Sequence, residues 1–206
     1  MANPTFTSRL REAAIICCAP YPYRSQFDLV GIDNRAAGYM ITEHLLKLGC
    51  KRPVFISRER SASTVQGRIA GFYEALRRHG VVGDAAKVFE GDSSDPVFVR
   101  KLIDSVGPDG FVCANDLTAG NLISVLNTLS IEVPREIHVV GVDDVKYAGL
   151  LPVPLTTQHQ NCFDIGATAL GVMLQRLARP HLPTRDVLLQ THTVVRESCG
   201  AKLFRA

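Results

Sequence analysis

No stretch of this sequence is apolar for long enough to span a bilayer, and the opening MANPTFTSRLREAA sets no apolar core behind its basic residues. The reading therefore contains neither a membrane span nor an export signal. The six cysteines, Cys17, Cys18, Cys50, Cys113, Cys162 and Cys199, form no C-x-x-C pair, and no histidine stands at zinc spacing from them. That pattern fits buried free thiols in a reducing, cytoplasmic setting better than a disulfide framework or a zinc site. A basic stripe is missing too. The formal charge is +3, and residues such as Arg58, Arg77, Arg78 and Lys101 are scattered among acids, so the chain itself carries no nucleic-acid footprint.

Motifs of catalysis are absent as well. There is no G-x-S-x-G elbow, Walker loop, G-x-G-x-x-G or H-E-x-x-H, and His159, His181 and His192 have no spacing that implies a common site. Without a nucleophile, metal set or phosphate cradle, neither an enzyme nor a bound cofactor is expected. No fixed-period repeat or low-complexity linker divides the chain.

What remains is a chain of 206 residues, 46% hydrophobic, in which strand and helix patterns alternate. Strands are expected at 13–19, 30–32, 53–56, 87–90, 110–114, 137–142 and 155–158, with one last strand over 187–195. Helices are expected from Asp33 or Asn34 to Leu48, from a capping Ser63 to His79, from Asp95, after Asn115, and over 162–179. Strict alternation argues for α/β architecture with doubly wound parallel sheets.

The stretch from Gly110 to Asp144 organises this pattern. Gly110–Ala114 is an apolar run ending at Asn115-Asp116; Leu122, Val125, Leu126 and Leu129 then share a helical face; Ile137–Val142 is a second run ending in Asp143-Asp144. Two parallel strands thus deliver polar groups to one edge of a sheet, where ligands of open α/β folds bind. Asn115, Asp116 and Asp143 lie on that rim, although Asp116 also suits a simple helix cap. Asp143 and Asp144 are neighbours that point to different sides, a poor acid/base pair. Arg68, one turn after Thr64, can aim a guanidinium fork at the same crevice, or can be an ordinary surface arginine.

Several segments in order resemble the effector-binding module of LacI/GalR-type transcriptional repressors. They are Val30-Gly-Ile-Asp-Asn-Arg-Ala-Ala-Gly38, Gln66-Gly-Arg-Ile-Ala-Gly-Phe72, Ala114-Asn-Asp116, Val133-Pro134, Val140-Gly-Val-Asp-Asp144 and Pro154-Leu-Thr-Thr157 with Gln160. The resemblance covers roughly Ala13 to Cys199. It implies a periplasmic-binding-protein-like type I fold of two lobes closing on a small sugar-like effector, with ligand contacts from Arg68, Asn115, Asp143, Thr64 and Asp116. Where many members place an aromatic ring, this sequence has Ser93, which points to a smaller or more polar effector. A homodimer is implied, as is operator binding through an N-terminal headpiece. No headpiece or hinge helix is visible before Ala13, so the expected chain starts inside an incomplete N-terminal lobe. That lobe is expected to comprise 1–30 with 160–182, and the C-terminal lobe 31–159 with 183–206. The alternative within the same fold is a periplasmic sugar-binding protein of a transporter.

Overall fold

The computed structural model describes residues 16–17, 27–81 and 87–201. In chain order these form β1 (Ile16–Cys17), β2 (Asp28–Ile32), α1 (Asn34–Lys47), β3 (Pro53–Ser57), α2 (Ser63–Arg78), β4 (Lys87–Glu90), α3 (Pro96–Val106), β5 (Gly110–Cys113), α4 (Asp116–Thr128), β6 (His138–Asp143), β7 (Thr156–His159), α5 (Cys162–Ala178), β8 (Asp186–Leu189) and β9 (His192–Val194). Of the strand expected over 13–19, only Ile16–Cys17 is described; the rest, and the turn at 20–25, lie outside the described residues.

The chain divides into two compact units, Met1–Asp33 with Asn161–Gln190, and Asn34–Gln160 with Thr191–Ala206. The smaller carries a parallel sheet in the order β1-β2-β8, with α5. The larger carries the order β4-β3-β5-β6-β7-β9, parallel except for antiparallel β9. The one strand expected over 187–195 is instead two, in different sheets. Polar Gln190-Thr191 breaks the run, so β8 pairs with β2 while β9 pairs with β7. The chain accordingly returns to the larger unit at Thr191, where the sequence pattern suggested residue 183.

In the larger unit the period-two rule operates on both faces. Val54, Ile56, Phe111, Cys113 and Val139 pack with Val99, Leu102, Leu122 and Leu126 of α3 and α4. Phe55, Val112, Ala114, Val140 and Val142 pack with Ile41, Leu45, Phe72 and Leu76 of α1 and α2. Strands buried on both sides read as continuous apolar runs, which is why these segments show no alternation in sequence.

Helices α1 and α2 meet backbone to backbone. A Cβ on Gly71 would stand 2.0 Å from the Arg35 carbonyl oxygen, and one on Gly38 would stand 2.1 Å from that of Arg68. This crossing presses the second turn of α2 against the start of α1. Helix α2 begins without the expected Ser63 cap: its N-cap is Ala62, which makes no side-chain capping bond. Asp95 does cap α3, accepting from the Val97 amide, and Gly107 ends it in the left-handed region. Of the described cysteines, Cys50, Cys113 and Cys199 are free and buried as expected, whereas Cys162 is exposed; Cys18 and the Cys17 side chain lie outside the described residues. Among the described residues no helix is long and apolar enough to cross a membrane.

Candidate functional site

The carboxyl ends of β3, β5 and β6 carry the polar residues of the larger unit. At their centre is Arg68, which is buried rather than a surface group. Its Nε donates to Asn34 Oδ1 at 2.9 Å and its Nη1 to the Ala114 carbonyl at 2.6 Å, while Nη2 reaches Asp143 Oδ1 at 3.3 Å. Three acceptors, from α1, from the residue after β5 and from β6, thus fix the guanidinium plane. Burial lowers the pKa of Arg68 and raises that of Asp143, and each charge only partly offsets the cost of desolvating the other. The pair is a single contact, not a bidentate fork. Asp143 Oδ2 takes no hydrogen bond from the described residues, and this side chain keeps 30% of its surface in solvent. The rim therefore holds this carboxylate in place yet leaves it open.

The end of β6 is strained to present it. Asp143 has φ of 126° and Asp144 of 56°, conformations that cost a non-glycine residue on the order of 1–3 kcal/mol each. Partners hold both. Asp144 turns away from Asp143, as expected for strand neighbours: its Oδ1 accepts from Arg196 Nη2 at 2.7 Å, and its Oδ2 lies 2.8 Å from His159 Nδ1. Burial works against ionising Asp144, but those two bonds more than compensate and hold its pKa below the usual value.

Asp116 is fully buried, at the first position of α4, and does not face the rim opening. Thr157 Oγ1 donates to its Oδ1 at 2.5 Å, and the Val145 amide donates to its Oδ2 at 3.0 Å. Burial pushes its pKa up to about 6 against those two bonds. Gly141 makes the room, since a Cβ there would come within 2.4 Å of Asp116 Oδ1. Asn115 caps α4, its Oδ1 accepting from the Thr118 amide at 2.9 Å and hydroxyl at 2.8 Å.

The structure therefore brings together Arg68 and Asp143, with Asn115 directly beyond the Ala114 carbonyl that Arg68 holds. Thr64 is half-buried one turn before Arg68 on α2, and Ser93 is buried in the turn between β4 and α3. The partners that sequence reasoning missed are Asn34, Thr157, His159 and Arg196. The first had a signal, since an Asn opening a helix beside a buried arginine is a ready acceptor; the others lie too far along the chain for any spacing rule. Among the described residues no group of three or more His, Cys, Asp or Glu is gathered to hold a metal.

A doubly wound α/β unit with polar groups at its strand ends is the architecture of a small-molecule binding domain. The periplasmic binding protein-like domain matches residues 42–199, and the chain belongs to that family. It is 31% identical over 172 residues to the HTH-type transcriptional repressor PurR of Aliivibrio salmonicida, covering 81% of this chain and 52% of that protein. With the PurR of Mannheimia succiniciproducens the identity is 29% over 182 residues, covering 86% and 54%. The chain spans about half the length of these relatives. Among solved structures it resembles a transcriptional regulator CelR–cellobiose complex, with 27% identity, a TM-score of 0.75 and coverage of 84% and 54%. A LacI family transcriptional regulator from Enterococcus faecium with bound ribose shares its fold, with a TM-score of 0.80 at 23% identity and coverage of 89% and 69%.

Proposed function

We propose that this chain is the effector-sensing part of a cytoplasmic transcriptional repressor, and that the strand-end rim of its larger unit binds a small sugar-like molecule. The observation that carries this reading is the buried Arg68 fixed by three acceptors beside an open Asp143. A preorganised carboxylate accepts a ligand hydroxyl, the neighbouring guanidinium donates to the next one, and little ordering cost remains at binding. Asn115 and Thr64 supply further polar contacts, Ser93 leaves room where a ring would narrow the site, and Asp116 holds the β6–β7 connection from behind. The relatives support the regulatory role over that of a transporter's solute receptor or an enzyme, because the matched proteins bear the names of repressors and regulators. In the longer protein operator DNA is read by an N-terminal headpiece, and the effector acts by binding one conformation of a homodimer more tightly than the other.

Thermal unfolding of the chain against a panel of sugars, sugar acids, polyols and nucleobases tests this. A ligand at 100 times its dissociation constant adds about 2.7 kcal/mol, which raises the midpoint of a domain this size by roughly 5–10 °C. Asp143→Ala and Arg68→Ala should each remove the shift. Variants that bind the responding ligand as tightly as the parent would show that the site is elsewhere.

A further inference from the structure

Strands β7 and β9 carry a pair of histidines that no spacing in the sequence brings together. In their antiparallel ladder His159 stands directly opposite His192, and the two imidazole rings lie 4.9 Å apart between centres, tilted by 37°. Opposite positions of such a ladder bring Cβ atoms within about 4.5–5.5 Å of each other. Two imidazoles that share one tetrahedral zinc ion, each with a nitrogen about 2.0–2.1 Å from the metal, have ring centres roughly 5 Å apart. The spacing observed is therefore that of a shared metal.

Both rings are set from behind. Asp144 Oδ2 lies 2.8 Å from His159 Nδ1. A carboxylate only accepts, so Nδ1 carries the proton and the lone pair is left on Nε2. A carboxylate in this position is the usual orienting partner of a metal-bound histidine. Asp144 is fixed in turn by Arg196, whose Nη2 donates to its Oδ1 at 2.7 Å. On β9 the residues on either side of His192 are pinned to the buried Gln158, whose Nε2 donates to Thr191 Oγ1 and whose Oε1 accepts from Thr193 Oγ1, each at 2.8 Å. His192 is itself exposed, and its ring can turn a nitrogen toward Nε2 of His159.

We propose that His159 and His192 form a binding site for a divalent transition metal of the zinc, copper and nickel group, each giving one imidazole nitrogen while water completes the coordination. Two nitrogen donors with no directly bound carboxylate select against magnesium and calcium, which take oxygen ligands. Among the described residues no set of three His, Cys, Asp or Glu is gathered around a metal, so the site is exchangeable rather than structural. The inference goes beyond the effector reading and does not depend on it, since neither histidine is assigned to the effector.

Calorimetric titration of the untagged chain with zinc chloride tests this, in a Cys162→Ser background that removes the exposed thiol. It should show a binding step that His159→Ala and His192→Ala each abolish and that His181→Ala leaves unchanged. Asp144→Asn should weaken that step about 10–100-fold, and magnesium chloride should not produce it. Copper(II) bound to the same chain should show two nitrogen ligands in its electron paramagnetic resonance spectrum. A parent chain that binds no zinc, a His192→Ala variant that binds it like its parent, or a copper spectrum with a single nitrogen overturns the proposal. If a histidine variant loses its parental circular dichroism, the copper spectrum of the parent decides.

Discussion

In the larger unit, apolar residues on both faces of β3, β5 and β6 meet helices, α3 and α4 on one side and α1 and α2 on the other. In the smaller unit the described elements are three strands and one helix. Both units hold an arginine–carboxylate pair, but differently. Arg176 and Asp28 make two close contacts, and Asp28 also accepts from the Arg185 amide at 2.9 Å. Arg68 and Asp143 make one contact at 3.3 Å. The hydrogen bonds from Arg176 hold the Asp28 pKa below its usual value, whereas burial raises that of Asp143. A closed pair stabilises the fold, and a half-open pair keeps a carboxylate oxygen for something else.

The largest expected effect breaks the closed pair. Asp28→Ala removes the carboxylate that accepts from both Arg176 and the Arg185 amide, and stability should fall. Urea unfolding should show that loss, with Arg68→Met costing less because its carboxylate partner keeps 30% of its side-chain surface in solvent. A loss under about 1 kcal/mol for Asp28→Ala would mean that the two pairs do the same work. Next is Gly71→Ala, whose methyl group must push α2 off the α1 backbone. Overpacking against a carbonyl that cannot swing aside costs about 3 kcal/mol, and displacement of Arg68 should weaken effector binding in the same variant.

A third test separates the two carboxylates of the site by pH. The folded pKa of Asp116 is about 6, above the 3.8 of a free aspartate. A raised carboxyl pKa means that the folded state holds its proton more tightly than the unfolded state. Its contribution is therefore fully present below about pH 4 and lost as pH rises to about 6, by on the order of 2–3 kcal/mol. Asp116→Asn should remove that part of the slope, so the difference between parent and variant stability should change across about pH 4–6 and be flat above it. Curves that run parallel through this window would show that Asp116 is not buried as described.

These tests bear on residues that differ in how far the sequence revealed them. Apolar runs ending in polar tips marked β5 and β6, and helical periodicity with Pro, Gly and Asn punctuation marked the helices, because those signals are local. Placing Arg68 beside Asp143 needed the resemblance, since their 75-residue separation is bridged only by sheet register. Asp116 looked like a rim residue because position along a strand does not show which way a side chain turns; the space left by Gly141 draws it inward.

The smallest effect concerns Asn115, which both caps α4 and stands at the proposed rim. As a cap, its oxygen satisfies the Thr118 amide, and Asn115→Ala should cost about 1 kcal/mol. Asn115→Asp keeps an oxygen at the helix N-terminus and should cost almost nothing there. The two roles part at the ligand, because the variant exchanges the amide donor for a second acceptor and adds a negative charge near Asp143. If Asn115 donates to the effector, Asn115→Asp should unfold at the parental midpoint without ligand, yet bind it about 10-fold or more weakly, the loss of about 1.4 kcal/mol expected for one hydrogen bond. Parental affinity in that variant would assign Asn115 to the helix alone and leave Arg68 and Asp143 as the pair that recognises the effector.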